Sequence, residues 1–259
     1  MIPYAVILIV GTLVGIILAY VLTQIVAAVS RETSIFPFKL VCVSCGAPAQ
    51  LKSRIPIIGA LGEAGICSNC AHKASLLRPV SELFVILFTI WTFIALEPLV
   101  AIQLSLLFMG LVGVALMDVT KWIIPNAFVL VILAAAILAL FSGTVDPTQS
   151  FFGMGVAMAI SLLIILPQKF GKGDGIIALG DVKLVLVVAL YLGWILSVYV
   201  FFLASFLAFL TWIISGFSKG FSIKRKLQFG PFVALSTMIF GIGKSLDPQF
   251  VTHLLTFRF

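Results

Sequence analysis

Six side chains in this sequence have types and spacings suited to chemistry. All four cysteines fall in one stretch, as Cys42-x2-Cys45 and Cys67-x2-Cys70, with 21 residues between the pairs. That is the pattern of a closed tetrahedral zinc site, in which four thiolates satisfy a structural ion. Each pair would form a tight knuckle, with Gly46 after the first and Gly65 just before the second available for turns. Disulfides or unrelated free thiols are the alternatives, and a reducing cytoplasm disfavours the former. His72 reads as a solvated loop residue rather than a ligand. The other two side chains are Asp118 and Asp181. Asp118 follows the apolar run 104–117, and Asp181 opens another in Leu179-Gly180-Asp181-Val182-Lys183-Leu184. An ionisable group at membrane depth costs about 3 kcal/mol on insertion scales, so a chain that keeps one usually uses it. Two carboxylates sharing one proton can hold and activate a water, because their like charges push the two pKa values apart. A second reading stays open at this point, with Asp181 capping its helix and Asp118 paired with Lys121 at the headgroups.

The other acidic residues read more simply. Asp146-Pro147, Asp247-Pro248 and Glu97-Pro98 are turn or cap pairs. Glu32 and Glu63 lie in a basic loop and read as solvated. Glu82 follows Pro79 and Ser81 near a helix N-terminus, where a carboxylate is electrostatically favoured, or it faces a site. Asp174, in Gly171-Lys172-Gly173-Asp174-Gly175, competes with Asp181 for the second carboxylate, but its glycine-rich surroundings suit a loop role.

The elements that must position these groups follow from composition. The chain has 259 residues, 62% of them hydrophobic and 10% charged, and a mean hydropathy of +1.28. This excludes a water-soluble globular enzyme, a disordered chain and a disulfide-stapled scaffold. An all-helical, polytopic membrane protein is expected, with spans near 2–29, 81–96, 99–117, 123–141 and 151–166. A block at 182–214, too long for one span, splits at Gly193 and Trp194, and a short eighth span lies near 231–242. The first run lacks the basic n-region of a cleavable signal and should stay as a span. Placing segment 30–79 in the cytoplasm and alternating puts 14 of the 16 Lys and Arg residues inside, with Lys244 and Arg258 outside. Eight spans with both termini outside fit that count. The net charge of +7 then belongs to the cytoplasmic face and suits anionic headgroups; nothing else suggests nucleic acid. Segment 30–79 has little core of its own, so metal binding would supply its folding free energy.

Taken in order, the two cysteine pairs, Asp118 followed by Ile124-Pro125-Asn126, and Gly180-Asp181-Val182-Lys183-Leu184 resemble the bacterial type IV prepilin peptidases, also called leader peptidase/N-methyltransferases. Arg78-Pro79-Val80-Ser81-Glu82 and Phe229-Gly230-Pro231-Phe232 are similar to further family segments, so the resemblance runs from about Cys42 to Leu235. It implies an intramembrane aspartic endopeptidase that cuts the leader of prepilins or pseudopilins after a glycine on the cytoplasmic side, in the bacterial inner membrane. Asp118 and Asp181 match the family's catalytic aspartates, and Cys42, Cys45, Cys67 and Cys70 match its structural zinc ligands. It also implies methylation of the new N-terminus from S-adenosylmethionine, associated with the cysteine loop. The implied organisation is a first helix at 1–29, a zinc-binding loop at 30–79 and a peptidase domain at 80–259.

The chain departs from the family pattern twice. The family's GxGD reads Ala178-Leu179-Gly180-Asp181, and a polar segment expected late in the first span reads Gly15-Ile16-Ile17-Leu18-Ala19-Tyr20. The second change makes a peptidase without methylation the nearest alternative. A transporter using both aspartates as ion sites would want them near the midplane, and a zinc-loop scaffold would need neither.

Overall fold

The computed structural model describes residues 4–31, 41–42, 44–50, 52–170, 179–220, 227–247 and 249–256. Asp174, Ala178, Glu32 and the basic run 224–226 lie outside the described residues, as does the side chain of Glu63. Among the described residues the fold is all-helical, with two isolated antiparallel bridges in place of any sheet. Among the described residues, four helices are long and apolar enough to cross a bilayer: Tyr4–Ser30, Leu77–Ala95, Pro98–Lys121 and Trp194–Phe217. Asn126–Phe141, Pro147–Leu163 and Gly230–Leu246 are apolar but shorter. The chain divides into two compact units, Met1–Leu116 and Met117–Phe259.

In the first unit, α1 (Tyr4–Ser30) packs along α2 (Leu77–Ala95). The contact is made by small residues at i and i+4, because in lipid the gain comes from close backbone approach rather than from burying apolar surface. A Cβ on Gly11 would lie 3.0 Å from the Phe93 Cβ, and one on Gly15 would lie 3.1 Å from the Ile86 Cα. α3 (Pro98–Lys121) meets α2 through a hydrogen bond between the Thr92 and Ser105 hydroxyls (2.9 Å) and the stacked rings of Phe88 and Phe108. Between α1 and α2 the chain makes three short 3-10 turns, Lys52–Arg54, Ile58–Ala60 and Gly62–Gly65. Gly65 serves close approach rather than a special φ, since a Cβ there would lie 2.4 Å from the Ala60 carbonyl oxygen.

In the second unit, α4 (Asn126–Phe141), α5 (Pro147–Phe170), α7 (Trp194–Lys219) and α8 (Gly230–Leu246) all contact α6 (Leu179–Leu192). A seven-residue α9 (Phe250–Thr256) follows. The break expected at Gly193 is present. Gly193 has φ +84, ending α6 and starting α7, and a Cβ on Gly153 would come 2.7 Å from its carbonyl carbon. The Lys244 ammonium donates to the Tyr191 and Leu192 carbonyl oxygens (3.2 Å each), satisfying orphan acceptors at the end of α6. The Asp146 carboxylate accepts from the Thr148 N–H (2.8 Å) and so caps α5, as a turn residue before proline should.

Candidate functional site

The four cysteines converge. Their sulfurs all lie within 4.8 Å of one another, with Cys42–Cys70 and Cys45–Cys67 each at 3.7 Å. Four sulfurs about 2.3 Å from a tetrahedral zinc would be about 3.8 Å apart, so the donor set and its spacing fit that ion. The two knuckles repeat the same local structure 25 residues apart. The Cys42 N–H donates to the Ala47 carbonyl and the Gly46 N–H to the Cys42 carbonyl; the Cys67 N–H donates to the His72 carbonyl and the Ala71 N–H to the Cys67 carbonyl. Bridges Val41–Pro48 and Ile66–Lys73 close them. Each knuckle needs a left-handed residue after its second cysteine. Gly46 (φ +79) fills that place in the first and Ala71 (φ +54) in the second, a position the sequence pattern did not mark.

Backbone N–H groups aimed at the sulfurs favour thiolates. The Ala47 N–H, then the Asn69 side chain, pull Cys45 down to about 6, and the Asn69 and Cys70 N–H groups lower Cys67. At Cys70 the His72 N–H acts downward, but the neighbouring Cys45 sulfur and burial outweigh it and push the thiol up to about 11. A divalent cation at the centre would remove that repulsion. The His72 ring is exposed and stands outside the ligand set.

The loop is tied to the membrane helices beside it. The Arg31 guanidinium donates to the Cys42 carbonyl (2.5 Å) and lies against Gly46. Glu82 is fully buried rather than facing solvent. It accepts from the Thr23 hydroxyl, the Ile57 N–H (2.6 Å) and the Arg78 Nε (3.0 Å), while the Arg78 Nη2 donates to the Ser53 carbonyl (2.9 Å). Burying a carboxylate is costly unless it is paired and hydrogen-bonded in this way.

In the second unit, Asp118 sits in the last turn of α3, 7% exposed. α3 continues past it to Lys121 and closes on Trp122 (φ +59), whose N–H donates to the Asp118 carbonyl (2.9 Å). Among the described residues its carboxylate meets a backbone group: the Gly230 N–H, at the start of α8, donates to Oδ2 (2.9 Å). Only glycine permits this, since a Cβ at position 230 would lie 2.7 Å from that oxygen. The Gln228 Nε2 donates to the carbonyls of Asp118 (2.9 Å) and Val119 (3.1 Å). Asp181 is the third residue of α6 and half-buried. The start of that helix lies against the segment that follows α3. A Cβ on Gly180 would be 3.2 Å from the Ile124 Cβ, and the Lys183 ammonium donates to the Asn126 Oδ1 (3.2 Å). Ile124-Pro125-Asn126 thus joins the Asp118 helix end to the Asp181 helix start, bringing both carboxylates to one end of this unit. A cavity of about 320 Å³ lined by Asp146, Gln149, Gly193, Trp194 and Lys244 lies at the other end of α6, roughly 20 Å along a 14-residue helix, and is separate from the carboxylates.

Gly230 and Gln228 were not singled out as site residues by the sequence. Gly230 carried a signal, the Gly-Pro at a helix start within Phe229–Phe232; Gln228 carried none.

Residues 105–213 match the family model described as the type IV leader peptidase family, and residues 9–96 match the bacterial peptidase A24 N-terminal domain. Similar curated proteins include three prepilin leader peptidase/N-methyltransferases. That of Neisseria gonorrhoeae is 26% identical over 76% of this chain and 68% of its own length. For that of Aeromonas hydrophila the figures are 24%, 83% and 75%, and for that of Bacillus subtilis 28%, 74% and 75%. No solved structure matches the chain.

Proposed function

We propose that this chain, which belongs to the type IV leader peptidase family, is an intramembrane aspartic endopeptidase that removes the leader of prepilins or pseudopilins and methylates the new N-terminus. The observation that carries the reading is the placement of Asp118. It is a carboxylate buried at a helix end, held through one oxygen by a glycine N–H, and joined through Ile124–Asn126 to the first turns of α6, which carry Asp181.

In this reading the two aspartates share one proton and a water. The ionised carboxylate takes a proton from the water as it attacks the scissile carbonyl, and the protonated one donates to the developing gem-diol. Both lie at one membrane edge, so the substrate backbone there must be extended, since a transmembrane helix hides its carbonyls in its own hydrogen bonds. The basic face derived from charge counting would put this edge in the cytoplasm, with eight spans in the bacterial inner membrane and cleavage after a glycine. Methyl transfer follows the names of the relatives and would draw on S-adenosylmethionine, with residues 30–79 as the associated loop and 80–259 as the peptidase part. Zinc held by Cys42, Cys45, Cys67 and Cys70 would be structural, because four thiolates leave no open position.

The test is cleavage of a prepilin-type substrate by purified protein in lipid, following the mass of the product N-terminus with and without S-adenosylmethionine. Asp118→Asn and Asp181→Asn should each lower cleavage at least ~1,000-fold while the protein stays folded. Cleavage retained in either variant removes that residue from the mechanism. A product that never gains a methyl group would make this a peptidase alone.

A further inference from the structure

Asp118 is held twice by one short segment. In the closing turn of α3 the Trp122 N–H already donates to the Asp118 carbonyl, and a carbonyl oxygen keeps a second lone pair for a further donor. Carbonyl oxygens only accept, so the Gln228 side chain must turn its NH2 towards Asp118 and Val119, as it does at 2.9 and 3.1 Å. Two residues later the Gly230 N–H reaches the Asp118 Oδ2. The first contact locates the backbone of Asp118 and the second its carboxylate. Both come from residues 228–230, more than a hundred positions away in sequence.

We propose that Gln228 is a positioning residue for the peptidase reaction. Its amide pins the end of α3 to the start of α8, so that the Gly230 N–H meets Oδ2 and Oδ1 is the oxygen presented to the water. The proposal rests on the catalytic reading of Asp118. Gln228 acts through Asp118, so it governs the chemical step rather than substrate binding. A displacement of about 1 Å in a reacting group is enough to cost on the order of 100-fold in rate.

The experiment measures kcat and KM for leader cleavage in lipid for Gln228→Leu, Gln228→Arg and Gln228→Asn, with Asp118→Asn alongside. Gln228→Leu, which keeps the volume and loses the donors, should lower kcat by about 10–100-fold with KM within twofold. Gln228→Arg, whose N–H groups can reach the same carbonyls, should recover most of that loss. Gln228→Asn, shorter by one methylene, should fall between, and it carries the test if the leucine variant fails to fold. A wild-type kcat in Gln228→Leu, or in Gln228→Asn where leucine does not fold, beside an inactive Asp118→Asn overturns the positioning role alone. A rise in KM at constant kcat, or no recovery with arginine, overturns it as well. An active Asp118→Asn overturns instead the catalytic reading beneath it.

Discussion

A missing side chain sets the geometry around Asp118. Its Oδ2 receives the Gly230 N–H only because nothing occupies the place of a Cβ, which would stand 2.7 Å from that oxygen. Gly230→Ala should therefore push the carboxylate away while the rest of α8 keeps its place. Leader cleavage should fall by about 10–100-fold, with an unchanged circular dichroism spectrum and KM within twofold; full activity would mean that the N–H contact does not matter to the chemistry. Glu82 illustrates the opposite case, in which a side chain that could have been catalytic is consumed by structure. It is buried, carries an ion pair to Arg78, and accepts from a hydroxyl of α1 and an N–H of the loop, so it joins three segments. The sequence placed it near a helix N-terminus. It could not show the partners, which lie 59 and 25 residues away.

At the scale of elements, the cysteine loop is two copies of one turn facing a shared centre. The copies differ at the left-handed position, where a residue with a Cβ pays about 1 kcal/mol and glycine does not. Ala71→Gly should relax the second knuckle, slowing zinc release to a chelator and raising the thermal midpoint by an amount worth up to ~1 kcal/mol. Gly46→Ala should act in reverse and more strongly, because the new Cβ meets both the unfavourable φ and the Arg31 guanidinium at 2.5 Å. Cys45→Ser should lower zinc content outright, as measured by metal analysis of the purified protein. Equal zinc content and release in all three would remove the metal reading. The cysteine spacing was legible because a closed metal site imposes a local pattern on the chain. Ala71 was not, since a left-handed alanine leaves no compositional mark. Helix ends shifted for a similar reason: hydropathy placed the end of the third span at 117, whereas hydrogen bonding carries α3 a further turn to Lys121, closed by Trp122.

For the molecule as a whole, the count of basic residues predicts that both ends of the chain lie outside and the carboxylate edge inside. Cysteines introduced at exposed Thr148 and Gln249 should react with an impermeant maleimide in intact cells, and one at Lys121 only after permeabilisation. Reaction at Thr148 but not at Gln249 would mean an odd number of spans between them and would overturn the eight-span topology. The membrane class, the cysteine cluster, the break at Gly193 and the candidacy of Asp118 and Asp181 were all present in the sequence. Each depends on composition or on neighbours within a few residues: apolar length for a span, thiol spacing for a metal, a glycine for a left-handed turn, a charge where charge is costly. Tertiary structure alone decided what holds those groups. The Gly230 amide on Asp118, the Gln228 amide on the end of α3, the Lys183 contact to Asn126 and the burial of Glu82 all join residues far apart in sequence. Which faces meet depends on the packing of whole helices, and a one-dimensional pattern does not encode that register.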